Sequence, residues 1–212
     1  PVAKMPLVEI VRGPATSDET VERARGWALA LGKTPVVVAD APGFLVNRLL
    51  MPYLQEALAL LDEGAGIEAV DRAARDFGMP MGPFRLLDEV GLDIAKHAAA
   101  TFARAFPGRF RESAQLARMV EAGRLGQKTG GGFWVKRGRR WRPAPDLPAA
   151  SATVSTDTIQ KRLFGAMARE AALCLEEKVC GSDRDIDLAT IFGMGFPPFR
   201  GGLATWMRER GG

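Results

Sequence analysis

The chain is poor in the residues that usually announce a metal or nucleophile site. It has one histidine and two cysteines in 212 residues. His97 has no aspartate or cysteine partner at a recognisable spacing and reads as a structural histidine on a helix. Cys174 and Cys180 lie close together on a helical stretch. They read as reduced thiols without a disulfide or metal role, which fits a cytoplasmic protein. No apolar run is long enough to cross a bilayer, and no signal peptide is visible. The first residue is proline, from which we expect a piece of a longer chain. No Gly-x-Gly-x-x-Gly follows a strand, so the dinucleotide-binding fingerprint is absent. A surplus of one charge sign is also missing: 29 Lys+Arg stand against 25 Asp+Glu, for a net charge of +4 and a pI near 9.4. That mild excess favours anionic ligands and gives no reason to expect nucleic acid.

What is present is an ordinary globular balance, 47% hydrophobic and 25% charged, and enough chain for one or two domains. Leu7-Val8-Glu9-Ile10-Val11 reads as a buried strand ending at Gly13-Pro14. Glu9 in its middle either faces solvent or is held for chemistry. Ser17 or Asp18 caps a helix with Val21, Ala24, Trp27, Ala28 and Leu31 inward, closed by Gly32. Thr34 to Asp40 is a second, valine-rich strand. Strand–helix–strand of this size resembles the end of an α/β sheet and buries too little to be a domain.

Pro42-Gly43 marks the boundary to an almost wholly helical remainder. Pro42 stands just ahead of a helix that carries Leu45, Leu49, Leu50, Tyr53, Leu54, Ala57, Leu58 and Leu61 on one face. Asn47, near its start, is either a ligand contact or a capping amide. Asp71 precedes the Gly/Pro/Met loop Phe77–Phe84, a helix restarts near Leu86, and Ser113 to Ala122 is another. Gly126 to Gly132 with Lys128 is a phosphate cradle or, equally, a tight turn, and it lacks the P-loop order. Phe133–Lys136 and Arg140–Pro143 read as an exposed hairpin, and Pro145 to Thr156 as a linker.

A second helical block repeats the first. Arg162-Leu163 matches Arg48-Leu49, and Glu170 matches Glu56 at the same offset. Phe192–Arg200 matches Phe77–Arg85, with Asp187 ahead of it as Asp71 is ahead of the first, the spacing differing by a residue. These matches indicate an internal duplication. The expected fold is mainly α: tandem duplicated helical domains preceded by the last strand–helix–strand of a Rossmann domain. Residues 1–40 form the remnant, 41–137 the first repeat, 138–157 the hairpin and linker, and 158–212 the second repeat.

Four segments carry a family resemblance: Pro1–Ile10, Asp40–Arg48, Gly126–Phe133 and Gly193–Gly202. In this order they resemble the C-terminal part of the L-3-hydroxyacyl-CoA dehydrogenases, whose helical domain is similar to that of 6-phosphogluconate dehydrogenase. The tandem copies resemble the multifunctional fatty-acid β-oxidation enzymes, in which an enoyl-CoA hydratase domain precedes the dehydrogenase. The resemblance implies that a parent enzyme oxidises L-3-hydroxyacyl-CoA to 3-ketoacyl-CoA with NAD. It implies that Glu9 orients a catalytic histidine and that Asn47 lies near the substrate carbonyl. That histidine would stand just before Pro1, and the Rossmann core is missing, so the piece by itself is expected to be inactive. A thiolase subunit is an implied partner of the parent. The competing reading is a stand-alone helical dimerisation or acyl-CoA-binding module.

Overall fold

A computed structural model describes residues 4–209 of the chain; Pro1–Ala3 of the first family-like segment lie outside them. In order, the elements are β1 (Leu7–Arg12), α1 (Asp18–Ala30), β2 (Thr34–Ala39), α2 (Val46–Asp62), α3 (Ile67–Phe77), α4 (Pro83–Val90), α5 (Leu92–Ala105), α6 (Ala114–Glu121), β3 (Trp134–Arg137), β4 (Arg140–Pro143), α7 (Thr156–Glu176), α8 (Asp183–Ala189) and α9 (Leu203–Glu209). No helix is long and apolar enough to cross a membrane. The chain divides into two compact units, residues 1–50 with 167–212, and residues 51–166. Each of the long helices α2 and α7 therefore begins in one unit and ends in the other.

The first unit holds the only parallel strand pair among the described residues. β1 and β2 pair with Leu7 opposite Thr34 and Arg12 opposite Ala39, the geometry a strand–helix–strand crossover requires. Val36 and Val38 are buried from β2, Val21 and Ala28 from α1. Ser17 caps α1 by accepting from the Thr20 N–H, as Ser/Thr before a helix commonly do. Trp27 and Leu31, expected inward, are instead 72% and 60% exposed. A helix on two strands has a narrow buried stripe, and Val21 and Ala28, two turns apart, already fill it. Burial pushes the Cys174 thiol up to about 12 and the Cys180 thiol up to about 11. Both cysteines are buried and free, so at neutral pH they stay protonated and unreactive.

The second unit is built on aromatic packing. Phe77 stacks on Phe164 with ring centroids 3.6 Å apart, and Phe84 meets Phe133 at 4.8 Å. Two buried carboxylates hold its loops. Asp71 Oδ1 accepts from the Phe84 N–H at 2.9 Å, and its Oδ2 accepts from the Arg85 N–H at 3.1 Å and from Trp134 Nε1 at 2.8 Å. Asp88 accepts from the Phe133 and Trp134 N–H groups at 2.8 and 2.7 Å. Asp71 thus satisfies orphan donors at the start of α4 and ties the hairpin to it. Burial pushes its carboxyl up to about 6 even though three donors pull the other way. Asp71→Asn turns an NH2 group toward donors that need an acceptor. We expect it to cost about 1–3 kcal/mol, read as a lower urea midpoint; an unchanged midpoint would show that these bonds carry no stability.

Two segments differ from the sequence expectation. α2 begins at Val46, one residue after Leu45, the first residue expected on its apolar face. Residues 42–45 form a turn in which the Phe44 N–H donates to the Ala41 carbonyl at 2.9 Å, with Gly43 at φ 80. Proline followed by a left-handed glycine is the type II pattern, which holds the chain out of the helix until Leu45. The loop phrases of the two blocks also do not superpose residue for residue. α8 runs into a π-helical turn, Thr190–Met194, so the left-handed residue that ends it is Gly195, whereas Gly78 ends α3. The extra residue of a π turn puts Gly195 one position further from Asp187 than Gly78 is from Asp71.

Candidate functional site

Glu9 and Asn47 are brought together at the start of α2. Glu9 sits at the centre of β1, half-buried. Its Oε1 accepts from the Leu45 N–H at 2.8 Å and the Val46 N–H at 3.1 Å. These are orphan donors of the first helical turn, whose positive end favours a carboxylate. Pro42, Gly43 and Phe44, the last at φ 49, deliver these donors to the strand. A bulky residue in the left-handed region is strained and persists only where surrounding contacts hold it. Burial raises the Glu9 carboxyl above its ordinary value, while the Leu45 and Val46 N–H groups hold it down. The other oxygen, Oε2, has no hydrogen-bond partner among the described residues. Asn47, the next residue after Val46, is exposed, and its amide also bonds to nothing among them. An open carboxylate oxygen and an open amide therefore share one helix start.

Behind them, Arg48 is fully buried and anchors α2 to α7. Its Nε donates to Glu170 Oε1 at 2.7 Å and one terminal nitrogen to Glu177 Oε2 at 2.9 Å. In front, the π turn comes close: a Cβ on Gly193 would lie 2.8 Å from Leu7 Cδ2 and 2.9 Å from Val46 Cγ2.

The other sequence candidates find plain structural uses. His97 is exposed on α5, in the other unit from Glu9. Lys128 pairs with Asp93 at 2.6 Å and does not front an empty cradle. The Arg85 guanidinium lies 3.8 Å from the centre of the Trp141 ring, so this aromatic is engaged inside the chain by a cation–π contact. No group of three or more metal-ligating side chains occurs among the described residues. A cleft of about 730 Å3 in the first unit, lined by Arg12, Arg25, Val37 and Lys178, contains neither Glu9 nor Asn47.

Residues 43–136 match the family model of the 3-hydroxyacyl-CoA dehydrogenase C-terminal domain, and residues 1–41 match that of the 3-hydroxyacyl-CoA dehydrogenase NAD-binding domain. The chain belongs to the 3-hydroxyacyl-CoA dehydrogenase family. The fatty acid oxidation complex subunit alpha of Idiomarina loihiensis is 42% identical over all of this chain and 31% of that protein. The crystal structure of 3-hydroxybutyryl-CoA dehydrogenase from Escherichia coli superposes with a TM-score of 0.80 at 26% identity, covering 98% of this chain and 61% of that one. That of (S)-3-hydroxybutyryl-CoA dehydrogenase from Ralstonia eutropha gives 0.62 at 38% identity, over 64% of this chain and 49% of that one. The chain thus spans less than two thirds of the length of each of these relatives. Its helical part has the mainly α fold of the family's C-terminal domain.

The residues present do not make an NAD cradle. The turn after β1 closes on itself, the Thr16 N–H donating to the Gly13 carbonyl at 3.0 Å, and the Ser17 hydroxyl already occupies the N-terminus of α1. The turn after β2 gives its donors to Glu9. Neither leaves the row of free N–H groups a pyrophosphate needs. Sequence reasoning missed two features here. Glu9 is the acceptor for the α2 terminus, which a helix with no Ser, Thr, Asp or Asn just before it should have suggested. No spacing in the sequence signalled the π turn.

Proposed function

We propose that this chain is the C-terminal part of an NAD-dependent L-3-hydroxyacyl-CoA dehydrogenase of fatty-acid β-oxidation, and that it contributes Glu9 and Asn47 to the active site. The observation that carries the reading is the pairing at the start of α2: a carboxylate with one oxygen bound to the helix and one open, beside an exposed amide. A carboxylate fixed in this way can hold an imidazole in one tautomer and stabilise it once it takes a proton from the substrate hydroxyl. The Asn47 amide can donate to the substrate oxygen at the carbon being oxidised. His97 matches no catalytic position of the family, so we place the base in the remainder of the parent. NAD supplies the hydride acceptor when bound there, and we assign none of its contacts to these residues.

The same proposal covers the organisation of the chain. We take residues 1–40 as the end of the nucleotide-binding domain, 41–137 and 158–212 as duplicated helical repeats, and 138–157 as their hairpin and linker. Arg48, Glu56 and Glu63 recur at one constant offset as Arg162, Glu170 and Glu177. In each unit the arginine of one helix meets a glutamate on the other helix and one just past that helix's end: Arg48 with Glu170 and Glu177, and Arg162 with Glu56 and Glu63. Asp187 accepts from the Ala204 and Thr205 N–H groups as Asp71 accepts from those of Phe84 and Arg85. A thiolase subunit as partner and a cytoplasmic location complete the reading, and co-purification of the parent from its own cells tests both.

The central test is turnover. The full-length protein is expected to reduce NAD with 3-hydroxybutyryl-CoA, and residues 1–212 alone are expected to give no rate above a blank. Turnover by the isolated chain, or none by the full-length protein, overturns the proposal.

A further inference from the structure

We infer that the π-helical turn Thr190–Met194 forms the acyl-chain wall of this active site and that Phe192 sets preference among acyl-chain lengths; the inference rests on the assignment of Glu9 and Asn47. Position comes first. The turn is seated against the shelf that carries both residues, with Gly193 so close to Leu7 and Val46 that a Cβ would force them apart. Leu7 lies two residues before Glu9 and so on the same face of β1. Val46 donates to Glu9 and immediately precedes Asn47.

Shape comes second. A helix that widens to π geometry changes the direction of the side chains on its last turn, and such insertions recur at functional sites. Here Thr190 is fully buried, its hydroxyl bonded to the Ile186 carbonyl at 2.8 Å, while Phe192 is turned out to 38% exposure. Phe196, on the same segment, is completely buried. Phe192 is therefore not needed for the core.

Chemistry comes third. From Ile191 to Phe199 the chain reads Ile-Phe-Gly-Met-Gly-Phe-Pro-Pro-Phe, with no charged, amide or hydroxyl side chain. The exposed residues of this segment, Phe192, Pro198 and Phe199, have no polar side chain with which to recognise the phosphates or ribose of a coenzyme A moiety. Such a surface suits a hydrocarbon chain, and sites for such ligands combine apolar walls with a few fixed polar groups. Glu9 and Asn47 supply the polar groups.

The test uses the full-length enzyme with Phe192→Ala and Phe192→Leu, comparing kcat/KM for 3-hydroxydodecanoyl-CoA and 3-hydroxybutyryl-CoA. Phe192→Ala is expected to lower the ratio of the long to the short substrate about tenfold, a size typical of losing an apolar pocket contact. The change should appear mainly as a higher KM for the long substrate, and Phe192→Leu should recover most of it. An unchanged ratio, or equal losses on both substrates, overturns the inference. Normal turnover of 3-hydroxybutyryl-CoA by Glu9→Gln overturns the reading beneath it, whatever Phe192 does, so the two failures are distinguishable.

Discussion

Glu9→Gln in the full-length enzyme is expected to lower kcat by about 10²–10⁴-fold, the usual cost of losing a positioned acid–base partner, while the fold survives. The substitution separates two jobs that Glu9 does at once. Its Oε1 accepts the Leu45 and Val46 N–H groups, and a glutamine oxygen can continue to do so, which keeps the start of α2 in place. The negative charge is lost, and with it the stabilisation of a protonated imidazole. Glu9→Ala removes both jobs and should add a loss of about 0.5–2 kcal/mol for the uncapped helix. If Glu9 were only a cap, Glu9→Gln would turn over normally and only Glu9→Ala would melt early. Steady-state kinetics beside thermal melts decide between these outcomes. Asn47→Ala provides an internal comparison. Asn47 is exposed and has no hydrogen bond among the described residues, so a change in stability beyond about 0.5 kcal/mol is not expected, and any slowing of turnover belongs to the reaction.

The strands, α1 and the apolar face of α2 were legible because they rest on local rules. Valine-rich runs, a serine cap and a heptad-like leucine spacing survive in any context. Trp27 and Leu31 were misplaced because helical spacing says which residues share a face but not how wide a neighbour covers it. The cap of α2 was not legible because it comes from Glu9, far away in sequence, and no local pattern reports a long-range acceptor. The site shows the same limit. Spacing alone left Glu9 and Asn47 with two readings each, and the family resemblance raised both. Their meeting at one helix terminus, and the approach of the π turn from the far end of the chain, depend on tertiary contact. Asp71 and Asp187 were legible as a repeated pair, yet not as caps, because the N–H groups they satisfy lie beyond loops of different length.

Arg48→Met is expected to destabilise the chain by about 3–5 kcal/mol, the cost of breaking a buried ion pair from one side. For a chain of this size that corresponds to a fall of roughly 6–20 °C in Tm. The two arginines at matching positions make the argument quantitative. The Arg48 side chain is 1% exposed and Glu170 5%, so neither charge has water to fall back on when the other leaves. Methionine fills much of the volume but removes the Nε–H that Glu170 accepts from, while the Glu170 carboxylate stays buried near the Cys174 thiol. Arg162 makes the corresponding contacts at 30% exposure, to Glu56 at 23% and Glu63 at 55%. Water can solvate what remains there, and Arg162→Met should cost no more than about 1 kcal/mol. Pairing Arg48→Met with Glu170→Leu removes the stranded charge and should recover most of the loss, because a well-packed apolar pair can replace a buried ion pair without penalty. Urea midpoints of the three variants and the parent chain test the scheme. Equal losses for the two arginines would mean that burial does not govern this network, and a double variant as weak as Arg48→Met alone would place the cost in packing rather than charge.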